Sequence, residues 1–168
     1  MKVFVPETRP SLQGARLTAY ELREDGFEVT LVADSAVGHV ISRDMVDRVI
    51  VGADRVMRTG HVFNKIGTYQ IAVLASRQGV PFHAAAPASS FDLVGSWDQV
   101  KIEERSREEL EKIGDRRVAP RGIRVFNPVF DVTPPELVSS IITEKGLLTR
   151  PYESSIGRLL GRSARVSF

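Results

Sequence analysis

Short apolar runs alternate with helical spacings over the first two-thirds of this chain. Four runs rich in β-branched residues predict strands at residues 3–5, 29–33, 48–51 and 81–85. Between them, apolar residues recur at three- and four-residue spacing, which predicts helices at 13–25, 37–41 and 68–75. Strands that alternate with helices are typical of βαβ units and a parallel sheet. We therefore expect an α/β fold with a parallel sheet flanked by helices.

The last third of the chain has a weaker pattern. Residues 103–109 are mostly charged, which is typical of a solvated helix. Residues 125–126 are predicted to form a last strand, which an Asn-Pro pair ends. Residues 136–143 follow a threonine and two prolines, a pattern that predicts a capped helix. We also expect a helix within residues 157–168.

Length and composition indicate one ordinary domain. The chain has 168 residues, of which 42% are hydrophobic and 26% charged, as in soluble globular proteins. The apolar runs are all shorter than the roughly 20 residues that a membrane-spanning helix needs. The first six residues are predicted to be a strand rather than a signal peptide. We expect a cytoplasmic protein without a membrane partner.

Charge and side-chain chemistry exclude several classes of site. The net charge of +2 is too small to predict a nucleic-acid partner. The chain has no cysteine, which excludes disulfides and thiolate chemistry. Its histidines, His39, His61 and His83, lack metal-ligand spacing, so no metal is expected. The loop after the first predicted strand lacks the Gly-x-Gly-x-x-Gly spacing of a dinucleotide site, and no cofactor is expected.

The first candidate for chemistry is Asp54, which follows an apolar strand and two small residues. Open α/β sheets bind ligands in the crevice outside the carboxyl ends of their strands. Partial desolvation there would raise the pKa of Asp54 and suit it to general acid or base catalysis. Arg55 could oppose that shift if it turned inward. The alternative is that Asp54 is only a turn former.

The second candidate is the segment that begins with Asn64 and Lys65 and continues through Gly67 and Thr68 into a predicted helix. Glycine allows a close backbone approach, and the first amides of a helix attract anions. Lys65 would add a point charge, so the segment predicts a phosphate site. The alternative is a polar turn at the end of a hairpin.

Other polar residues near predicted strand ends are ambiguous. Gln13 could donate to a substrate hydroxyl or cap the first helix, and Asp34 is open to the same two interpretations. Asn127 and Asp131 could line the same crevice or fix a proline-rich turn.

Seven stretches, taken in order, resemble the methylthioribose-1-phosphate isomerase family. They are 7–10 (ETRP), 13–19 (QGARLTA), 52–56 (GADRV), 64–69 (NKIGTY), 85–92 (AAPASSFD), 102–105 (IEER) and 126–134 (FNPVFDVTP). The resemblance spans nearly the whole chain and implies a Rossmann-like parallel sheet flanked by helices. The same superfamily includes regulatory subunits of translation initiation factor 2B and ribose-1,5-bisphosphate isomerases. Asp54 with Arg55, and the Pro-x-Ser-x-Phe-Asp pattern ending at Asp92, favour the methylthioribose branch.

The resemblance implies roles for four residues. Asp54 is expected to be the catalytic acid or base, and Gln13, Asn64 and Lys65 are expected to contact a phosphorylated pentose substrate. The reaction would convert 5-methylthioribose 1-phosphate into 5-methylthioribulose 1-phosphate in methionine salvage. The alternatives are a ribose-1,5-bisphosphate isomerase or a regulatory protein that binds without turnover, like the initiation factor 2B subunits.

The resemblance covers only the C-terminal half of the family. The upstream half of the family carries a catalytic cysteine and a Gly-Arg phosphate loop, which residues 1–168 do not supply. We therefore expect one α/β domain, 1–168, that is inactive alone. It would act as part of a split or truncated enzyme. We expect it to form a homodimer, a complex with a separate polypeptide that supplies the N-terminal half, or both. A stand-alone domain with another role is a further possibility.

Overall fold

A computed structural model describes residues 1–161. Within this range the strands are β1 (Lys2–Pro6), β2 (Glu28–Val32), β3 (Val49–Gly52), β4 (Arg55–Met57), β5 (Val62–Lys65), β6 (Phe82–Ala85), β7 (Phe91–Asp92), β8 (Lys112–Ile113), β9 (Arg116–Arg117), β10 (Phe130–Thr133), β11 (Ser140–Thr143) and β12 (Gly146–Leu148). The α-helices are α1 (Ala19–Glu24), α2 (Val37–Ser42), α3 (Thr68–Arg77), α4 (Glu108–Glu111) and α5 (Tyr152–Leu160). A π-helical turn, Gly14–Thr18, leads directly into α1.

Parallel strands form the centre of the fold, in two groups. Strands β1 and β2 pair in parallel. A second sheet has the order β12-β11-β6-β3, in which β3, β6 and β11 are parallel and β12 is antiparallel. Helices α1, α2 and α3 lie between strands in the sequence. The predicted α/β fold, with parallel strands and flanking helices, is confirmed.

A smaller sheet that the sequence pattern does not predict projects from the end of β3. Its order is β10-β5-β4-β7, built on the antiparallel hairpin of β4 and β5. Strand β10 pairs antiparallel with β5, and β7 pairs parallel with β4. Asp54 lies immediately before β4, and Asn64 and Lys65 are the last two residues of β5. This sheet therefore positions most of the candidate site.

The core lies where α3 and α5 pack with β6 and β11. Ala72 of α3, Phe82 of β6, Ile141 of β11 and Ile156 of α5 are all within 1% of complete burial. Tyr152 is also buried, and its hydroxyl donates to the Val138 carbonyl oxygen over 2.9 Å. This apolar cluster fixes β6 and β11, and through β6 it fixes the position of β3.

The first three helices and the four predicted strands, which are β1, β2, β3 and β6, begin and end close to their predicted positions. Gly26 after α1 and Gly79 after α3 have φ angles of +82° and +68°. A left-handed glycine at this position ends a helix because it directs the chain away while the last carbonyls stay bonded. These two glycines explain why the predictions for α1 and α3 hold.

The prediction of a strand at 125–126 is wrong, because the strand lies at Phe130–Thr133 instead. The prediction of a helix over 136–143 is also wrong. A short 3-10 turn, Pro135–Leu137, is followed by β11. There the Ser139 amide donates to the Phe82 carbonyl over 2.7 Å, and the Ser139 hydroxyl accepts from the Phe82 amide. Pairing with β6 therefore overrides the helical spacing.

The charged segment forms only one short helix, α4, and one of its carboxylates is buried. Glu111 is 2% exposed and accepts hydrogen bonds from Arg107, and its other oxygen lies 2.9 Å from Arg117 Nη1. These bonds hold the pKa of Glu111 below its ordinary value of 4.5. The expected solvated helix therefore contains a buried ion network.

Helix α5 covers only the start of the helix expected over 157–168, and 162–168 lie outside the described residues. Across 1–161, every helix is too short or too polar to cross a bilayer.

Candidate functional site

A cleft of about 380 Å³ opens between the carboxyl ends of β1 and β3. The loop after β1, the end of β3 and the turn after β5 form its walls, and we call it the strand-end cleft. Its polar lining residues include Thr8, Asp34, Asn64, Lys65 and Thr68. Its position is the one that open α/β sheets use for ligands.

Asn64 and Lys65 reach this cleft because β5 ends there. Asn64 donates from Nδ2 to the Thr68 hydroxyl over 2.9 Å, and that hydroxyl donates to the Lys65 carbonyl over 2.7 Å. Lys65 Nζ lies 4.8 Å from the centre of the Phe130 ring, a cation–π distance that orients the ammonium group. Both candidate side chains are thus held in place beside the cleft.

Two of the amides after Lys65, which the sequence pattern assigned to a phosphate, already donate to a carboxylate. Gly67 N–H donates to Asp131 Oδ2 over 2.8 Å, and Tyr69 N–H donates to Oδ1 over 3.0 Å. The Asp131 carboxylate therefore occupies the N-terminus of α3. Its burial raises its pKa to about 6, although both amide bonds oppose the shift. Lys65 remains as the cationic candidate for phosphate binding.

Asp54 lies on a second cleft of about 580 Å³, which the loop after β6 also lines. We call this the Asp54 cleft. Asp54 is exposed, so the expected partial desolvation of its carboxylate is absent in residues 1–161. The physical reason is its place just beyond β3, at the open end of the β4–β5 hairpin, where none of the described segments covers it.

The two clefts lie at the same end of the hairpin. The Asp54 amide donates to the Phe63 carbonyl over 2.9 Å, and the register that pairs Arg55 with Phe63 continues to place Asp54 opposite Asn64. A methyl group built on Gly52 would lie 3.9 Å from Asn64 Oδ1. The structure thus brings Asp54, Asn64 and Lys65 to one end of the hairpin, on two adjoining surfaces.

Arg55 pairs with Asp92 in the wall of the Asp54 cleft. The Arg55 guanidinium lies 3.6 Å from Asp92 Oδ2, and Asp92 also accepts from the amides of Gly95 and Val94. The Gly95 and Val94 amides, together with Arg55, hold the pKa of Asp92 below 3.8. Asp92 therefore fixes both the wall of the Asp54 cleft and the direction of Arg55.

The structure places the ambiguous polar residues as follows. Gln13 is exposed and makes no side-chain cap to the helical turn that follows it. Asp34 accepts from the backbone amides of Thr8 and Arg9 over 2.8 and 2.6 Å. It therefore orders the loop that lines the strand-end cleft. Asn127 is buried and donates to the Ser106 carbonyl and to Glu109, so it fixes a turn.

Sequence reasoning left Asp131 open between lining the crevice and fixing a turn, and it did not assign Asp92 to the site. Both form hydrogen bonds with backbone amides close to a predicted site residue. The available signal was an aspartate beside a turn, which is too common to separate these two from other acids. Within residues 1–161, no group of three or more His, Cys, Asp or Glu side chains could hold a metal ion.

Comparison with known proteins gives the relatives of this chain. Methylthioribose-1-phosphate isomerase of Carboxydothermus hydrogenoformans is 54% identical over 161 residues, which are 95% of this chain and 47% of the relative. The crystal structure of 5-methylthioribose 1-phosphate isomerase from Pyrococcus horikoshii OT3 matches with a TM-score of 0.92 and 46% identity, covering 96% of this chain and 45% of that one.

A structure with a different name is equally similar. Translation initiation factor eIF-2B, subunit delta, from A. fulgidus matches with a TM-score of 0.92 and 51% identity, covering 95% of this chain and 47% of that one. The chain thus spans about half the length of the relatives it matches. Residues 1–150 match the sequence profile of the initiation factor 2 subunit family, and the chain belongs to this family.

Proposed function

We propose that this chain provides the substrate-binding and acid/base half of a methylthioribose-1-phosphate isomerase. The observation that carries the proposal is the placement of Asp54, Asn64 and Lys65 at one end of the β4–β5 hairpin. The identity of 54% to an isomerase of that name adds support. The substrate would be 5-methylthioribose 1-phosphate and the product 5-methylthioribulose 1-phosphate.

The site residues divide the chemistry between them. Lys65 binds the phosphate as a point charge, since Phe130 and the turn hold its side chain beside the cleft. Asn64 and Gln13 contact sugar hydroxyls. Asp54 transfers the proton, because a carboxylate placed at the reacting carbons is a general acid or base. The net change moves one hydrogen from C2 to C1 after the ring opens, so no cofactor is consumed.

The exposure of Asp54 means that the site is incomplete in residues 1–161. General acid/base catalysis of this kind needs a water-excluding pocket that tunes the pKa of the acid. The relatives are about twice as long as this chain, and their remaining half would close that pocket. The remaining half is either a second polypeptide or a further segment of the same protein. The assembled enzyme would act in the cytoplasm and would also form a homodimer.

The second candidate is a regulatory protein that binds a phosphorylated ligand without turnover. Two observations favour it: the equal TM-score to an initiation factor subunit and the exposure of Asp54. The retention of Asp54 together with Lys65 and Asn64 favours the isomerase, because a binding module has no need of a carboxylate at this position.

Phosphorus NMR of 5-methylthioribose 1-phosphate distinguishes the two candidates. The chain is tested alone and with a polypeptide comprising the part of the Carboxydothermus hydrogenoformans relative that it does not match. The proposal predicts conversion only when both are present. Conversion by the chain alone would contradict the need for the remaining half. Absence of conversion from a folded complex would favour the regulatory function.

A further inference from the structure

Helix α4 and the β8–β9 hairpin border a cavity of about 360 Å³ that is separate from the two clefts described above. Its lining residues are Arg107, Glu108, Glu111, Arg117, Arg121 and Gly122. None of these residues lines the strand-end cleft or the Asp54 cleft. Because half of the lining residues are arginines, we call it the arginine cavity.

The β8–β9 hairpin brings the lining residues together. Lys112 and Arg117 pair across the hairpin, and Gly114, with a φ angle of +57°, lies in the turn between its strands. The Glu111 carbonyl then accepts from the Val118 amide over 2.8 Å. This pairing places Arg117 beside Glu111, so side chains from α4 and from β9 face the same cavity.

A buried carboxylate orients two of the arginines. Glu111 is 2% exposed, and its Oε1 accepts from Arg107 Nε over 2.9 Å and from Arg107 Nη2 over 2.6 Å. Its Oε2 lies 2.9 Å from Arg117 Nη1. Arg107 Nη2 also donates to the Ile123 carbonyl over 2.9 Å. Both guanidinium groups are therefore held in place before a ligand arrives, which lowers the entropy cost of binding.

The cations around the arginine cavity outnumber the carboxylates that neutralise them. Glu108 pairs at 2.9 Å with Lys112, which does not line the cavity. Glu111 neutralises one of the three guanidinium charges, and Arg121 forms no ion pair within residues 1–161. Two positive charges are therefore left over, and arginine stays charged at physiological pH. An anion between them would relieve their mutual repulsion.

We propose that the arginine cavity binds a small phosphorylated metabolite through its phosphate group. A guanidinium group presents paired N–H donors that match two phosphate oxygens. A phosphate monoester carries a charge of about −1.5 to −2 at pH 7, which balances the uncompensated arginine charges. Small-molecule sites have volumes of roughly 300–1,000 Å³, so a cavity of about 360 Å³ has room for a small sugar phosphate.

This metabolite site is distinct from the proposed isomerase site. The substrate phosphate is assigned to Lys65 in the strand-end cleft, and the arginine cavity holds a second phosphate group. A contact links the two regions: Arg9, which lines the strand-end cleft, donates from Nη2 to the Glu109 carbonyl of α4 over 3.3 Å. The two sites are therefore neighbours without a shared lining residue, and the arginine cavity does not depend on the isomerase activity.

Amide NMR of the whole chain carrying Lys65→Ala tests this site, because the variant removes the cation of the strand-end cleft. The probe is ribose 5-phosphate. We expect saturating shifts of the Arg121 and Gly122 amide signals and of the Arg117 Nε–H signal, since these groups line the cavity. The absence of saturating shifts at these groups would overturn the proposal.

Two substitutions that remove the same charge separate the cavity from the overall field of the protein. Arg121 lines the cavity, whereas Arg116 is exposed and precedes Arg117 on β9, where successive side chains point to opposite faces. Arg121→Gln should weaken binding of ribose 5-phosphate by roughly fivefold or more. Arg116→Gln, the matched control, should weaken it by roughly twofold or less. Equal weakening would overturn the proposal. If Arg121→Gln does not fold, the NMR titration of the Lys65→Ala chain decides.

Competition experiments distinguish other occupants of the cavity. If succinate binds as tightly as ribose 5-phosphate, the cavity selects negative charge rather than phosphate, and the proposal is wrong. If inorganic phosphate binds more tightly than ribose 5-phosphate, the occupant is the free ion rather than a metabolite, and the proposal is again wrong. Displacement of ribose 5-phosphate by the part of the Carboxydothermus hydrogenoformans relative that this chain does not match would also overturn it, because acidic side chains of that part would then occupy the cavity.

Discussion

Substitution of Asp131 by asparagine tests the structural basis of the Asn64–Lys65 turn. The Asp131 carboxylate accepts from the amides of Gly67 and Tyr69. Asparagine keeps one acceptor oxygen, but its NH₂ group faces the second amide and cannot accept from it. Losing a hydrogen bond to a charged group costs about 1.5–3 kcal/mol. Because asparagine is neutral, the substitution also removes the cost of burying a charge, which offsets part of that loss.

We therefore expect Asp131→Asn to lower the free energy of unfolding by about 1–2 kcal/mol near pH 4, where the folded chain holds this carboxyl protonated, and by less at pH 7, where the substitution removes a buried charge. For a chain of this size the melting temperature should fall by roughly 2–8 °C. Urea unfolding gives the free energy, and amide NMR shifts of Asn64 and Lys65 report the turn itself. Asp47→Ala is the control, because Asp47 is exposed and its loss should change stability by less than about 0.5 kcal/mol.

The pH dependence provides a second test of the same substitution. Burial raises the pKa of Asp131 from 3.8 to about 6. The folded chain therefore binds more protons at this group than the unfolded chain between these values, so the stability contribution of Asp131 falls as pH rises through them. The advantage of the unsubstituted chain over Asp131→Asn should be largest below pH 3.8 and shrink up to pH 6. A stability difference that is the same at pH 4 and at pH 7 would show that burial does not raise the pKa of Asp131.

Three further substitutions test other parts of the structure. In the assembled enzyme, Lys65→Ala should weaken binding of a phosphorylated pentose by about 10–100-fold and leave binding of its unphosphorylated analogue unchanged, as measured by calorimetry. Equal weakening of both ligands would exclude Lys65 from the phosphate site. Gly60→Ala should lower the free energy of unfolding by roughly 2–4 kcal/mol, because φ is +87° and the new Cβ would lie 2.5 Å from the Tyr152 ring. Asp92→Asn should destabilise the chain at pH 7, and the difference should shrink as pH falls below 3.8, because the pKa of Asp92 is lowered in the folded chain and its contribution is lost only as the folded carboxylate is protonated. A difference that persists at low pH in urea unfolding would contradict the role of its bonds to Arg55 and the loop amides.

Local sequence signals were enough to predict β1, β2, β3 and β6 and the first three helices. The runs around Val49–Gly52 and Phe82–Ala85 are apolar and β-branched, and glycines end the intervening helices. Each of these signals is contained in a few neighbouring residues. The end of a buried strand then indicated Asp54, and the same reasoning indicated Asn64 and Lys65.

Long-range pairing explains the features that local signals could not predict. Strand β11 has helix-like spacing but pairs with β6, a strand that ends 55 residues before β11 begins. Asp131 lies more than 60 residues from the amides of Gly67 and Tyr69. A sequence pattern contains no record of such partners, so it assigned those amides to a phosphate. The exposure of Asp54 likewise depends on which segments cover it.

The rate of isomerisation with and without the Asp54 carboxylate tests directly whether Asp54 is the acid/base group of the isomerase. The chain and its Asp54→Asn variant are each combined with the remaining half of the Carboxydothermus hydrogenoformans relative, and conversion of 5-methylthioribose 1-phosphate is followed by phosphorus NMR. We expect Asp54→Asn to keep its fold and its binding of the companion half but to lose roughly 100- to 10,000-fold in rate. An unchanged rate for a correctly assembled Asp54→Asn complex would contradict the assignment of acid/base catalysis to this site.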